Sequence, residues 1–395
     1  MAATDTAQDE LVALRRRLHR IPEVGLDLPR TQAAILAALD GLPLELHLGT
    51  GLSSVVGVLR GTAPGAEDGP VVLLRADMDA LPLREETGLE YAADGDAMHA
   101  CGHDLHSTIL VGAARTLCAR RDELAGTVLL VFQPGEEGHD GAARMLDEGL
   151  LDLAGRRPAA AYALHVESRR DRGTVATRPG PFFAASAVLT ATVRGRGGHA
   201  AMPHLSRDPV AAAAALVAAL PGWVARTFDA FDPVVATVTG VRAWGAENVI
   251  PDEATVRAAV RSFSAASAAT LAAGVPELCR DVAAVHGCEV DVDWDVRYPV
   301  LHNDPAETAF ASDVARGLVG DGFSTMDAPL SASEDFARVL QEVPGCYLLL
   351  GARPPGLAVG DAAHHHSPRV VFDDAVLADG AELLATLALR RAAAA

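Results

Sequence analysis

The stretch His99-Ala-Cys-Gly-His-Asp-Leu-His106 places three histidines, a cysteine and an aspartate within eight residues. Imidazole nitrogen and thiolate sulfur are ligand types for zinc-like divalent ions. Redox use is disfavoured, because the chain contains no Cys-x-x-Cys. Four other patches carry matching chemistry. VVLLRADMD ends in Asp77 and Asp79, TVLLVFQPGEE runs into Glu136 and Glu137, AAAYALHV ends near His165, and HHHSP covers 364–368. Each alone has an ordinary reading: a histidine at a strand end is usually hydrogen-bonded, paired glutamates usually face solvent, and a buried cysteine behaves as a small hydrophobe. Together, Cys101, His103, Glu137, His165 and His366 supply five sulfur, nitrogen and oxygen donors. That is more than one ion takes, and it suits two divalent ions sharing a ligand, with the Cys101 thiolate able to bridge. Of the three consecutive histidines, His366 is chosen because it directly precedes Ser-Pro. Asp79 and Asp104 are candidates to orient ligand histidines, and Asp104 could also cap the following helix.

Elements must bring these patches together. Short apolar runs at 53–59, 71–79, 127–137, 159–166 and 346–351 read as buried strands. They alternate with helical stretches at Asp9–Leu18, 107–121 and 306–320 and with a last helix over DDAVLADGAELLATLALRRAA, which predicts an α/β domain with a mixed, mostly parallel sheet flanked by helices. Ligands in open sheets of this kind sit beyond the carboxyl ends of the strands, where the acids and histidines fall. Residues 184–298 read differently. Their order β-α-β-β-α-β is that of a ferredoxin-like α+β unit inserted into the first domain, which then comprises 1–183 and 299–395.

Composition narrows the function further. The net charge of −19 disfavours nucleic acid and anionic membrane surfaces as partners. All 33 basic residues are arginine, so a Walker-type phosphate loop and a lysine Schiff base are both excluded. There is no Gly-x-Ser-x-Gly elbow and no His-Glu-x-x-His helix. Five cysteines without paired spacing suit a reducing compartment, and the acidic N-terminal segment lacks the pattern of a secretory signal. The expectation is a cytoplasmic protein.

LHRIPE (18–23), RADMDALPLREETGL (75–89), MHACGHDLH (98–106), FQPGEEG (132–138), ALHV (163–166), GRGGHAAMPH (195–204), NVIPD (248–252), SEDF (333–336) and HSPR (366–369) occur in one order along nearly the whole chain. In this the sequence resembles the metal-dependent aminoacylase and carboxypeptidase family, in the amidohydrolase branch that holds hippurate hydrolases and indole-3-acetyl-amino-acid hydrolases. The resemblance implies a catalytic domain with two divalent ions; thiolate and imidazole donors favour zinc on softness, with manganese or cobalt as alternatives. It also implies an inserted lid that commonly forms a homodimer. It implies the same five ligands, Glu136 as general base, and His199 as the group polarising the scissile carbonyl, in its own or a partner subunit. Asn248 and Arg261 fall where relatives bind the substrate carboxylate. The implied activity is hydrolysis of N-acyl amino acids of the N-acetyl, N-benzoyl or indoleacetyl type. A dipeptidase or carboxypeptidase of the same family, or a metal-binding homologue without turnover, are the alternatives. VGLDLPRT after LHRIPE, and the glycine of FQPGEEG that stands where alanine is common, depart from the family pattern without touching a ligand.

Overall fold

The computed structural model describes residues 2–394, with side chains from residue 7 onward. The chain divides into two compact units. The first comprises Met1–Phe182, His302–Ala328 and Arg338–Ala395; the second comprises Phe183–Leu301 and Pro329–Ala337. The segment Pro329–Ala337 thus groups with the inserted unit, where the sequence reading places all of 299–395 in the first. It is nearly devoid of regular structure, so no periodicity marks its allegiance.

The first unit is built on an eight-stranded sheet. Its centre is four adjacent parallel strands in the order Thr127–Gln133, Val71–Asp77, Ala160–Asp171, Gly345–Arg353. Val55–Arg60 and then Glu45–Leu48 extend one side by antiparallel pairing. On the other side Val175–Thr177 runs antiparallel to Gly345–Arg353 and carries Phe323–Thr325 parallel to itself. Val71–Asp77 and Thr127–Gln133 are buried along their whole length, as a sheet covered on both faces requires. Register sets the site. Asp77 pairs with Gln133, and Arg75 with Ala163, so two residues further on Asp77 and His165 reach the same edge.

Helix His103–Ala119 packs against the sheet and against the helices Leu377–Ala393 and Ala2–His19. Leu105, Ile109, Leu110, Val111 and Leu117 are all fully buried in it, each contributing about 1.5–3 kcal/mol of hydrophobic stabilisation. It begins four residues before the sequence reading, which starts it at 107. Asp104 is therefore inside its first turn, and the residue preceding the helix is Gly102.

In the second unit four antiparallel strands lie in the order Val234–Arg242, Glu253–Ser262, Ala185–Arg194, Glu289–Tyr298. Two helices, Pro209–Thr227 and Ala265–Val285, pack on the sheet, with Asp208 and Ser264 as their side-chain caps. This is the ferredoxin-like order. Pro209–Thr227 is long and apolar enough by composition to cross a membrane; Pro221 interrupts it, and Ala212, Ala213, Leu216 and Leu220 form its buried stripe.

Candidate metal centre

Two glycines shape the loops that carry the ligands. Gly102 has φ +88°, and a Cβ there would stand 2.4 Å from Val166 Cγ2. Cys101 and His103 can therefore flank it only because it has no side chain. Gly135 has φ +76°, with Leu26 Cδ2 2.5 Å from where its Cβ would be. It turns the chain out of strand Thr127–Gln133 into Glu136 and Glu137.

Around these turns the five predicted donors converge in two overlapping triads. Cys101, His103 and His165 form one, and Cys101, Glu137 and His366 form the other; within each, the ligand atoms lie within 4.8 Å of one another. Cys101 belongs to both, with Sγ 3.4 Å from His165 Nε2. Glu137 Oε1 lies 3.1 Å from His366 Nε2. Glu136 joins His103 and Glu137 in a third grouping.

The hydrogen bonds decide which histidines keep a lone pair. His165 Nδ1 donates to the Val166 carbonyl at 2.6 Å, which leaves Nε2 as the free nitrogen facing Cys101. His106 is different. Its Nδ1 donates to Asp77 Oδ1 at 2.6 Å and its Nε2 accepts from Val166 N at 2.9 Å, so both nitrogens are used. His106 is a support, not a ligand. His364 turns to Arg169, 3.0 Å away, and His365 to Ser168 N and Glu167. His366, at φ +66°, is the one whose ring meets Glu137, while its backbone N–H donates to Ala100 O.

Asp79 is fully buried and accepts the backbone N–H groups of Glu136 at 3.1 Å and Glu137 at 3.0 Å. It also lies 3.4 Å from His103 Nδ1. It thus sets the glutamate turn as well as a histidine. Asp104 corrects the expectation placed on it. Its carboxylate orients no ligand histidine: it is bound by Arg15 Nε at 2.9 Å and His19 Nδ1 at 2.7 Å, behind the site. Asp77 and its partners Arg75 and His106 were legible only as a strand-end acid. On a fully buried strand, Arg75 and Asp77 share a face at i, i+2, which is the signal that could have paired them.

Charge follows from this geometry. Burial opposes ionisation of Asp77, but His103, His106 and Arg75 together hold it well below the usual carboxylate range. Burial works against the His103 imidazolium, yet Asp77, Asp79 and Glu137 outweigh it and push it up to about 10. Burial, with Glu137, Glu136 and Asp77 nearby, drives the Cys101 thiol well upward. Burial, with His106 and His365 adding repulsion, keeps His165 neutral.

These residues fit a pair of divalent ions. His103 is buried with Nδ1 3.4 Å from Asp79 Oδ1 and Nε2 3.7 Å from Asp77 Oδ2, neither in a well-formed hydrogen bond, so a ring nitrogen is available to a cation. The surplus of carboxylates around a high-pKa thiol also calls for positive charge at the site.

In the second unit, His199 and Asn248 are brought together. His199 pairs with Val249 in a short two-stranded ladder, and Ala200 N donates to Asn248 O at 2.9 Å. Both are exposed. Arg261 lies elsewhere, on strand Glu253–Ser262, half-buried, donating to Val260 O at 3.1 Å.

The chain belongs to the peptidase family M20/M25/M40, whose model matches residues 73–390. It is a metal-dependent hydrolase with the ligands for a dinuclear centre. Among its relatives, it is 35% identical over 387 residues to IAA-amino acid hydrolase ILR1-like 4 of Arabidopsis thaliana, covering 97% of this chain and 86% of that protein. It is 33% identical to the N-acetylcysteine deacetylase of Bacillus subtilis, covering 96% of each. The crystal structure of Bacillus subtilis YXEP, described as a dinuclear metal binding peptidase from the M20 family, superposes with a TM-score of 0.85 at 28% identity over 99% of both chains.

Proposed function

We propose that the protein hydrolyses the amide bond of N-acyl amino acids, releasing a carboxylic acid and a free amino acid. The observation that carries this is the pair of ligand triads sharing Cys101, with Glu136 set beside them by Asp79. Cys101, His103 and His165 would hold one divalent ion and Cys101, Glu137 and His366 the other. Such ions polarise the scissile carbonyl and make water a nucleophile at neutral pH. Thiolate and imidazole favour zinc, with manganese or cobalt as alternatives.

Glu136 takes the proton of the attacking water on its carboxylate as the carbon–oxygen bond forms. It returns that proton to the amide nitrogen as the carbon–nitrogen bond breaks, so that the amine leaves neutral. His199 Nδ1 accepts the Ala201 N–H at 3.1 Å, which leaves the ring proton on Nε2. That exposed N–H is suited to donate to the carbonyl oxygen as its charge develops. Arg261 has no carboxylate partner among the described residues, and burial is what lowers its pKa. A guanidinium in that condition, with Asn248, is suited to the carboxylate of the amino-acid product. The second unit is read as a lid that also joins two subunits. All five cysteines are free thiols, in keeping with a cytoplasmic location.

The similarity to IAA-amino acid and N-acetylcysteine hydrolases supports this substrate class over dipeptides. The test is a panel of N-acetyl, N-benzoyl and indoleacetyl amino acids beside dipeptides, run on protein reconstituted with each metal. Turnover of dipeptides alone would overturn it.

A further inference from the structure

A buried cluster of charge lies behind the ligand loop and belongs to neither triad. His19, at the end of helix Ala2–His19, is 2% exposed. Its Nδ1 is 2.7 Å from Asp104 Oδ2, and its Nε2 is 3.2 Å from Glu85 Oε2. Both carboxylates are fully buried. An ionised carboxylate only accepts hydrogen bonds, so a ring bonded to one at each nitrogen is an imidazolium with two N–H donors.

The two carboxylates sit on different segments of the site. Asp104 directly follows the ligand His103 in the first turn of its helix. Glu85 ends the stretch that leaves Asp79 and pairs back through Leu81 with Met98, at the start of the ligand loop. Glu85 also accepts the Ala93 N–H at 2.8 Å and the Thr87 hydroxyl. The other groups facing His19 are Arg15, whose Nη2 is 3.4 Å from Nδ1, and the rings of Tyr91 and His99. Arg15 ties Asp104 onward to Asp374. His99 is buried with neither nitrogen hydrogen-bonded, so it contributes no competing donor or acceptor. Beside the Leu81–Met98 backbone bridge, the cation of His19 thus ties the first turn of the ligand helix, through Asp104, to the segment that follows Asp79, through Glu85.

We propose that His19 is a positioning residue for the metal centre: clamped between Asp104 and Glu85, it fixes the loop 99–104 so that Cys101 and His103 face their partners. The inference rests on the ligand assignment under Proposed function. Neutral glutamine at 19 leaves Glu85 a buried carboxylate without its cation, and the loop shifts to relieve it. Removing the Glu85 charge as well restores the balance, since Arg15 still pairs with Asp104.

The test is titration of the metal-free full-length chain with cobalt(II), read by the thiolate-to-cobalt absorption that reports Cys101 coordination, together with thermal melting. His19→Gln should bind cobalt about 10- to 100-fold more weakly, the range seen when groups supporting metal ligands are removed. The double variant His19→Gln/Glu85→Gln should recover most of that loss. A His19 that only stabilised the fold would lower the melting temperature and leave affinity and absorption unchanged; that result overturns the clamp. A double variant that folds but binds no better than His19→Gln overturns it too. If His19→Gln alone does not fold, the double variant carries the test, and near-wild-type cobalt affinity in it supports the charge balance. A wild-type chain that gives no thiolate absorption refutes the ligand assignment, and the clamp falls with it.

Discussion

Asparagine in place of Asp79 isolates the geometry that presents the general base. The carboxylate accepts two buried N–H groups, from Glu136 at 3.1 Å and Glu137 at 3.0 Å, one on each oxygen. Hydrogen bonds to a charged acceptor contribute about 1.5–3 kcal/mol each. Asparagine has nearly the same shape but only one carbonyl oxygen; its amide nitrogen would meet an N–H donor. One bond survives as a weaker neutral one, and the other N–H is left buried and unsatisfied at a cost of about 1–3 kcal/mol. A combined loss of about 3 kcal/mol, expressed in the placement of Glu136, corresponds to roughly a hundredfold in rate at 1.36 kcal/mol per decade. The assay is steady-state hydrolysis of the preferred N-acyl amino acid, with metal content measured on the same samples. The expected result is kcat reduced about a hundredfold, KM changed by less than about threefold, and both ions retained. An Asp79→Asn protein that keeps its ions and turns over within about threefold of wild type would refute the reasoning, because the two bonds would then not govern the base.

Three other outcomes are expected. Glu136→Gln should keep its metal content while losing about 10²- to 10⁴-fold in turnover, checked by elemental analysis beside kinetics. His366→Ala should lose one of two ions, whereas His364→Ala, whose ring faces Arg169, should bind the full complement; elemental analysis of the two side by side checks this. Metal binding should release protons. Carboxylates push His103 up to about 10 against the effect of burial, and burial with nearby acids pushes the Cys101 thiol upward, so both are protonated at pH 7 in the metal-free protein and deprotonated as ligands. Affinity should therefore rise with pH between about 7 and 9, approaching two decades per pH unit, and calorimetry in buffers of different ionisation enthalpy should count close to two protons.

Much of this is legible in the sequence. Runs such as VVLLRAD and TVLLVFQ are apolar enough to be buried strands, and the acids that interrupt them could only sit at a sheet edge. The alternation around 184–298 likewise marked an inserted α+β unit. The start of the ligand helix was missed because His103, Asp104 and His106 are polar, and polarity reads as loop. Tertiary partners bury them instead: Asp77 for His106, and Arg15 with His19 for Asp104. The role given to Asp104 failed for the same reason. Its true partner His19 lies 85 residues upstream, and no local spacing encodes such a pairing. Among the three adjacent histidines the Ser-Pro that follows His366 singles it out in the sequence, and its left-handed backbone accompanies the turn that brings its ring to Glu137.

The single sulfur common to both triads gives the centre one point of failure. A Cys101 carried one step up the oxidation ladder, to the sulfenic acid, would cease to be a thiolate donor for either triad at once. Inactivation by peroxide should then follow one first-order course, with both ions lost at the rate at which activity disappears, and a thiol reductant given early should restore the two together. A centre with separate ligands would fail in two phases.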